Sequence, residues 1–542
     1  MASRGPRASP IAALGRQLGR EWRAGPLHQL AIAGPRPRGL ATRPRDGRPA
    51  DIAAGERVLR GEFRHRGDAL DVGPGGDPWN RPCPSRRFAV GLHGFAWSPD
   101  LLATGEGGAR ELLRLWLEWR RVFGRYNDFA WSGEALERRV FHLACAAPAL
   151  LPLASEAEGA ALLDGLARQA RHLLADPHGG GRLAERLSAA ALLGSALAGP
   201  AGDRLLARTL PRLERALAAA VLPDGVHASR SPERGLELFF DLLALDDSLS
   251  LRGAPSPVEL SRAIDRLSAG VRFFALADGR LPSFHGGEAA STARVAAALA
   301  LEAGRAPPSN AAPYGDYQRL EGKALQVIVD VGAPPAGPFG AEGCAQTAAI
   351  EVLCQGRRLI VGSGWSAKAP AAAAGARAAA GGSCLCLAGA ADGGWASAVK
   401  AERNDSPEAI WLDITHDGWR RASGLDHTRR LFLDLAAGEL RGEDHLTPAG
   451  RARDRRQTHL AIAFHLPAGV SASVAVDGKS ALIRAPGADG WRLRSDAAET
   501  RVEASTVFED GEARRAQSIV LAGPVRPADG VRVRWKLSRD EG

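Results

Sequence analysis

The stretch "STARVAAALALEAGRAPPSNAAPYGDYQRLEGKALQVIVDVG", residues 291–332, changes its period halfway along. Its opening reads as the last of a series of helices, and its end, "ALQVIVDVG", reads as a strand. Between them "RAPPSNAAPYGD", Arg305 to Asp316, is rich in Pro, Asn and Gly, which interrupt both kinds of element. This break divides the chain into a helical half and a strand-rich half.

Upstream, from Gly108 to Gly304, one helical segment follows another. In "GARELLRLWLEWRRVFG" the residues Leu112, Leu115, Trp116, Trp119 and Phe123 share one stripe at helical spacing. Ser256-Pro257-Val258-Glu259 has the form of a capping box, and Ser231-Pro232 opens another helix in the same way. Repeated antiparallel helix pairs over some 200 residues predict an (α/α) toroid. Downstream the period is two, with turns such as Gln355-Gly356 and Asp477-Gly478, and roughly ten short antiparallel strands predict a β-sandwich. The expected fold is an N-terminal (α/α) toroid followed by a C-terminal antiparallel β-sandwich. Its expected parts are an Arg/Pro/Gly-rich arm at 1–75 docked on the helical domain, the toroid at 76–304, a linker at 305–316 and the sandwich at 317–542. Within the arm, "RVLRGEFRHRGDALDVG" has the pattern of a small hairpin.

With 542 residues the chain is too long for one compact core. No apolar run reaches the ~20 residues that span a bilayer, and the first 25 residues hold arginines without a sustained apolar segment. Membrane insertion is therefore not expected. The net charge is +9, and only five of the 70 basic residues are lysine. Arginine forks suit carboxylate, sulfate and phosphate. The charge is dispersed, without the dense basic stripe of a nucleic-acid binder. The six cysteines show no CxxC spacing, and Cys384 and Cys386 share one face of a strand, so no metal and no cofactor is expected.

Candidate site residues follow from chemistry. Asp224-Gly225-Val226-His227 precedes the helix start at Ser231-Pro232, where free N–H groups and the helix dipole favour an anion. His227, Arg230 and Arg234 surround that point. His285 lies in the glycine-bounded "FHGGE", where backbone can approach a ligand closely. His416 and His427 end one strand and begin the next, with Asp417 or Asp426 placed to orient either ring. Tyr317 begins the first sandwich strand. Each has a structural alternative: a capped surface helix, a turn histidine, a pair across a hairpin, and a packed tyrosine.

The phrases "DPWNRPCPSRRFAVGLHGFAW", "LPDGVHASRSPE", "FHGGE", "YQRLEGKALQVIVDVG", "FGAEGCAQTAAIEVLCQGRRLIVGSGW", "ITHDGWRRASGLDHTRRLFLD" and "LRGEDHL" resemble, in order and spacing, the heparinase II/III-like proteins of α-proteobacteria. The resemblance spans nearly the whole chain. It implies a polysaccharide lyase that breaks a uronic-acid polymer by β-elimination, without metal, in a groove between toroid and sandwich. That chemistry needs a cation for the uronate carboxylate, a base for the C5 proton and an acid for the departing oxygen. The family's usual groups are missing here. Registering the family's Ser-Phe-Glu on Glu351 puts Cys344 in the place of its second histidine. Its Ala-His-Ser histidine falls near Gly382, its tyrosine after Ser-Pro near Arg234, and its Asn-His near Gly181-Arg182. Glu342 and Glu351 read as structural.

Three functions are compatible with this. The first is a lyase in which His227, Arg230, Arg234 and His285 hold the substrate, while His416, His427 and Tyr317 move protons. The second is a degenerate lyase-like protein that binds or organises an envelope polysaccharide. The third is a glycoside hydrolase on the toroid, with Asp224 and Glu233 as its carboxylates. The expected partner is an acidic polysaccharide. The resemblance places the protein in the cell envelope or periplasm, and the absence of a visible signal peptide makes the cytoplasm the alternative.

Overall fold

The computed structural model describes residues 10–540 except 132, 176–179, 302–306, 366–369, 391–392, 451–456, 488 and 510. The expected boundary at 304 and 305 and the start of the arm lie outside the described residues. The chain forms two compact units, Met1–Ala216 with Phe240–Ser261, and Leu217–Phe239 with Arg262–Gly542.

The helices are α1 (Pro10–Ala24), α2 (Pro26–Ala31), α3 (Ile52–Leu59), α4 (Arg86–His93), α5 (Ser98–Leu102), α6 (Glu106–Phe123), α7 (Gly133–Leu150), α8 (Glu156–Ala175), α9 (Leu183–Ala196), α10 (Pro200–Ala220), α11 (Pro232–Leu251), α12 (Val258–Phe274), α13 (Thr292–Leu301), α14 (Pro370–Arg377) and α15 (Arg420–Ser423). The crossings between units fall inside α10, α11 and α12. In the first unit the stripe on α6 is buried at Leu112, Leu115, Trp116 and Trp119, and Phe123 is half-buried. The Ala-rich helix α9 is buried on every side, so it is a central helix without a polar face. Charges inside this unit are paired: Asp241 accepts from Arg48 at 2.7 Å and from Arg138, and Glu137 accepts from Arg182. The hairpin expected in the arm forms as β1 (Glu62–His65) and β2 (Asp68–Asp71). The Ser256 hydroxyl, ahead of α12, donates to Asp246 at 2.5 Å.

From Ala311 onward the described residues hold seventeen strands: β3 (Ala311–Ala312), β4 (Tyr317–Glu321), β5 (Leu325–Asp330), β6 (Ile350–Cys354), β7 (Arg357–Ile360), β8 (Leu385–Leu387), β9 (Val399–Asp405), β10 (Ala409–His416), β11 (Leu425–Asp434), β12 (Glu439–Pro448), β13 (Thr458–His465), β14 (Ser471–Val474), β15 (Ser480–Arg484), β16 (Trp491–Ser495), β17 (Glu499–Glu509), β18 (Glu512–Val525) and β19 (Val531–Arg539). They form antiparallel sheets of order β3-β4-β5-β6-β7, β17-β18-β13-β8 and β14-β15-β16-β19-β12-β11-β10-β9. Sequence period undercounts them for a physical reason. β3 and β8 are too short to show alternation, and β9, "VKAERND", is a polar edge strand with no buried face.

On the eight-stranded sheet the inward positions include Leu412, Ile414, Leu431, Leu433, Leu440, Leu446 and Leu537, with one charged pair, Arg429 and Asp444, among them. Asp444 on β12 accepts from Arg429 Nε at 2.8 Å, Arg429 Nη2 at 3.1 Å, His427 Nε2 at 2.8 Å and Trp535 Nε1 at 2.9 Å. The remaining guanidinium nitrogen of Arg429 donates to the carbonyls of Ala348 at 2.9 Å and Ser383 at 3.1 Å. Ala348 lies just before β6 and Ser383 just before β8, so one buried arginine ties all three sheets. Gly442 on β12 lies opposite Trp535, whose ring would be 2.1 Å from an added Cβ.

Two outcomes follow. Gly442→Ala is expected to lower unfolding free energy by about 1–3 kcal/mol through overpacking against Trp535; a denaturant midpoint equal to that of the parent would refute this contact. Burial works against the Asp444 carboxylate, but Arg429 and His427 outweigh it and hold it well below the usual carboxylate range. A depressed folded-state pKa gives stability that is present above the unfolded value and lost as pH falls through the folded one. Burial also lowers His416 and His427, so unfolding takes up protons below about pH 6.5. Both signs agree: the melting temperature is expected to fall steadily on acidification from pH 6.5. Asp444→Asn is expected to flatten the carboxylate part of that profile and to cost about 3–5 kcal/mol by stranding Arg429.

Candidate functional site

Five of the seven residues singled out in the sequence lie in two polar clusters of the second unit, and none of these five is more than 5% exposed. The first cluster is built on Asp330. The register of β4 and β5 sets Tyr317 opposite Asp330. Asp330 accepts from Arg230 at 2.5 Å and Gly332 N–H at 3.0 Å on one oxygen, and from His285 Nε2 at 2.9 Å on the other. The Arg230 guanidinium also donates to the carbonyls of Gly315, Asp316 and Ala333, at 2.9, 3.0 and 2.8 Å. His285 Nδ1 accepts the Cys344 N–H at 3.1 Å, so its proton sits on Nε2 and both ring nitrogens are occupied. The Tyr317 hydroxyl donates to the Arg230 carbonyl at 2.6 Å, and the guanidinium lies 4.9 Å from the Tyr317 ring centre.

Burial decides the protonation here. It lowers His285 despite Asp330, and it raises Tyr317 well above the ordinary phenol value. For Asp330, burial pulls upward, but Arg230 and the His285 bond hold the carboxylate below its ordinary value. Arg230 and His285 both have left-handed backbone, φ 59° and 46°. For residues with a Cβ this is sparsely populated, and the shared Asp330 anchor holds both in place. His227 is also buried: its Nδ1 accepts the Ser229 N–H at 3.1 Å, and its ring meets Phe339 edge-on. Arg234 is half-buried on α11.

The second cluster joins His416 and His427, which face each other directly across β10 and β11. Gly418 N–H donates to His416 Nδ1 at 3.2 Å. His416 therefore carries its proton on Nε2 and donates to His427 Nδ1 at 2.9 Å, and His427 donates from Nε2 to Asp444. All four ring nitrogens are used, and burial followed by the mutual repulsion of the two rings lowers His416 well below its ordinary value. Neither nearby acid orients these rings, as the sequence had led us to expect. Asp417 accepts from the Ser397 hydroxyl at 2.6 Å, and Asp426 pairs with Arg420 at 2.6 Å. Asp444 does the orienting. Its signal was present in "LRGEDHL", where it shares the inward parity of Leu440 and Leu446. Ala348 connects the clusters: its N–H donates to the Asp330 carbonyl at 2.8 Å and its carbonyl accepts from Arg429.

The positions that depart from the family pattern are closed in the same way. Cys344 is buried with its thiol pushed up to about 12, far from a thiolate. A Cβ at Gly382 would come within 2.9 Å of Gln346, so no histidine fits there without moving it. Arg182 is spent on Glu137. Glu351 accepts from Ser283 N–H at 2.8 Å and Arg358 at 3.1 Å, and burial raises it. The two carboxylates of the hydrolase reading are tied to backbone: Asp224 accepts from Tyr314 and Gly315 N–H at 2.6 and 2.7 Å, and Glu233 from Glu288 N–H at 2.9 Å. Among the described residues no group of three or more His, Cys, Asp or Glu is placed to hold a metal ion.

The sequence pattern of the family described as "Heparinase II/III-like, C-terminal" matches residues 304–536. The chain is 49% identical to FtsZ-localized protein C of Caulobacter vibrioides (strain NA1000 / CB15N), over 96% of this chain and 94% of that one. Its fold is similar to that of a heparinase III crystal structure, with a TM-score of 0.75 at 12% identity, covering 100% of this chain and 93% of that one. It is also similar to the heparan sulfate lyase HepC from Pedobacter heparinus, with a TM-score of 0.58 at 16% identity over 93% and 86% of the two chains. These likenesses carry the fold, an (α/α) toroid and an antiparallel sandwich. Pattern, relative and fold agree that the chain belongs to the heparinase II/III-like family, together with FtsZ-localized protein C.

Proposed function

We propose that this chain is a lyase-like protein that carries out no β-elimination and works by holding an acidic polymer and its neighbours in place. The observation that carries this is the saturation of the imidazoles. A general base needs an open lone pair within reach of substrate, and the ring nitrogens of His285, His416 and His427 are spent inside the protein. Tyr317, with its phenol raised by burial and its hydroxyl on a carbonyl, is no better base. The relative is named for a location beside FtsZ, which supports a positioning role at that place for this chain as well. The division into an arm at 1–75, a toroid at 76–304 and a sandwich at 317–542 belongs to the same proposal.

A second reading concerns attachment, and the exposed apolar residues of α1 and α2 favour it. Leu14, Leu18 and Trp22 repeat every four residues along α1 and are exposed, as are Leu27 and Leu30. Arg20 and Arg23 lie on the opposite side of α1, where Arg20 is 3.7 Å from Asp128. An amphipathic helix of this kind lies in the interface of a bilayer, its cations drawn to anionic headgroups. None of the described helices is long and apolar enough to cross a membrane.

With a panel of uronic-acid polymers, the folded protein is expected to give no new ultraviolet absorbance of a 4,5-unsaturated uronate. A steady rise that His427→Gln abolishes would overturn the non-catalytic reading. In sedimentation with vesicles containing anionic lipid, the full chain is expected to pellet, and Leu18→Glu with Trp22→Glu to remain in solution. Equal pelleting of both would remove the attachment reading.

A further inference from the structure

The outer face of the eight-stranded sheet carries a transverse row that no step above uses. The registers place Trp411 on β10 beside Phe432 on β11, then Arg441 on β12, Lys536 on β19 and Arg494 on β16. Trp411 is 50% exposed, its ring centre 4.4 Å from that of Phe432. The Arg441 guanidinium lies 5.3 Å from the Phe432 ring centre, extending the platform by a cation–π contact. The row thus passes from an aromatic surface to three cations in successive strands.

The carboxylates nearby do not cancel this charge. Glu439 accepts from Lys536 at 2.8 Å and Arg441 at 3.3 Å, and Glu443 faces Arg430, Arg534 and Arg532 at 3.1, 3.0 and 3.8 Å. Asp434 lies 3.4 Å from Arg441 and Asp413 3.2 Å from Arg430, so four acids face five cations, all paired at the surface, where such pairs are weak and open to exchange. Arg494 is exposed. An incoming anion gains an unbalanced positive field.

We propose that this row is a docking site for an acidic glycan laid across the strands, with one sugar stacked on Trp411 and its acidic neighbours on Arg441, Lys536 and Arg494. The spacing selects the occupant. Adjacent strands lie about 4.8 Å apart, close to the length of one pyranose unit in a chain. Successive sugars therefore meet successive strands. An extended peptide presents same-face side chains about 7 Å apart, out of step with this row. The flat apolar face of a pyranose matches an exposed indole, and carboxylate or sulfate groups match guanidinium forks. The site lies on the opposite face of the sheet from His416 and His427, so it needs none of the lost catalytic groups. The proposal rests on the binding reading above.

The test is affinity electrophoresis and calorimetry of the full chain with polygalacturonate, with neutral dextran and polyglutamate as comparisons. Polygalacturonate is expected to bind, with affinity reduced tenfold or more by Trp411→Ala and by the pair Arg441→Ala and Arg494→Ala, while the melting temperatures of these surface variants stay near that of the parent. Polygalacturonate binding that all three substitutions leave unchanged overturns this site but leaves the non-catalytic reading standing. Absence of polygalacturonate binding overturns the site as well. Polyglutamate bound as tightly, and equally sensitive to Trp411→Ala, would reassign the face to an acidic peptide and overturn the glycan. Polygalacturonate cleavage would overturn the reading of the preceding subsection, whatever these variants do.

Discussion

The contact between Arg429 and Asp444 is the constraint on which the sandwich depends. Two opposite charges are taken fully out of water, a step that is unfavourable unless every remaining donor and acceptor is satisfied. Here they are: Asp444 receives two guanidinium nitrogens, an imidazole and an indole, and Arg429 spends its remaining group on two carbonyls. Because those carbonyls belong to segments entering two other sheets, the pair sets how three sheets meet. An aliphatic core would bury as much area without defining that arrangement so narrowly.

The same saturation runs through the residues of catalytic type, and it is the ground on which the non-catalytic proposal rests. A histidine in a lyase needs one nitrogen turned to substrate and the other held by the protein. In this chain both nitrogens of His285, His416 and His427 face inward, and desolvation keeps the rings neutral. Arg230, which a uronate-binding role would require to be open, is spent on Asp330 and three carbonyls. The left-handed backbone at Arg230 and His285 persists because Asp330 rewards it from both sides. A scaffold shared with lyases has thus turned polar groups of the catalytic kind into internal fasteners.

Much of this was legible in the sequence, and the reasons for the remainder are physical. The period change across 291–332 revealed the two halves, and the α6 stripe revealed its buried face. The side chains that matter were within the quoted phrases, and His416 and His427 do lie together. What sequence spacing cannot carry is the partner across the fold. Asp330 ends β5 and Asp444 sits within β12, and neither was singled out, because their roles arise from residues 100 positions away in one case and from another strand's indole in the other. The closure of Gly382 by Gln346 is likewise a contact between segments, invisible to local pattern.

One feature of the topology has a bearing on how the molecule is made. β19, the strand of residues 531–539, lies in the interior of its sheet, between β16 and β12, and Trp535 on it completes the shell of Asp444. Until those residues have emerged from the ribosome, β12 and β16 each present an open edge, and the buried carboxylate lacks one donor. Such edges are sticky toward other strands, and pairing across this sequence distance is slow. The nascent protein therefore has to survive with its largest sheet in two unjoined pieces, a period in which holding by a chaperone would protect it most.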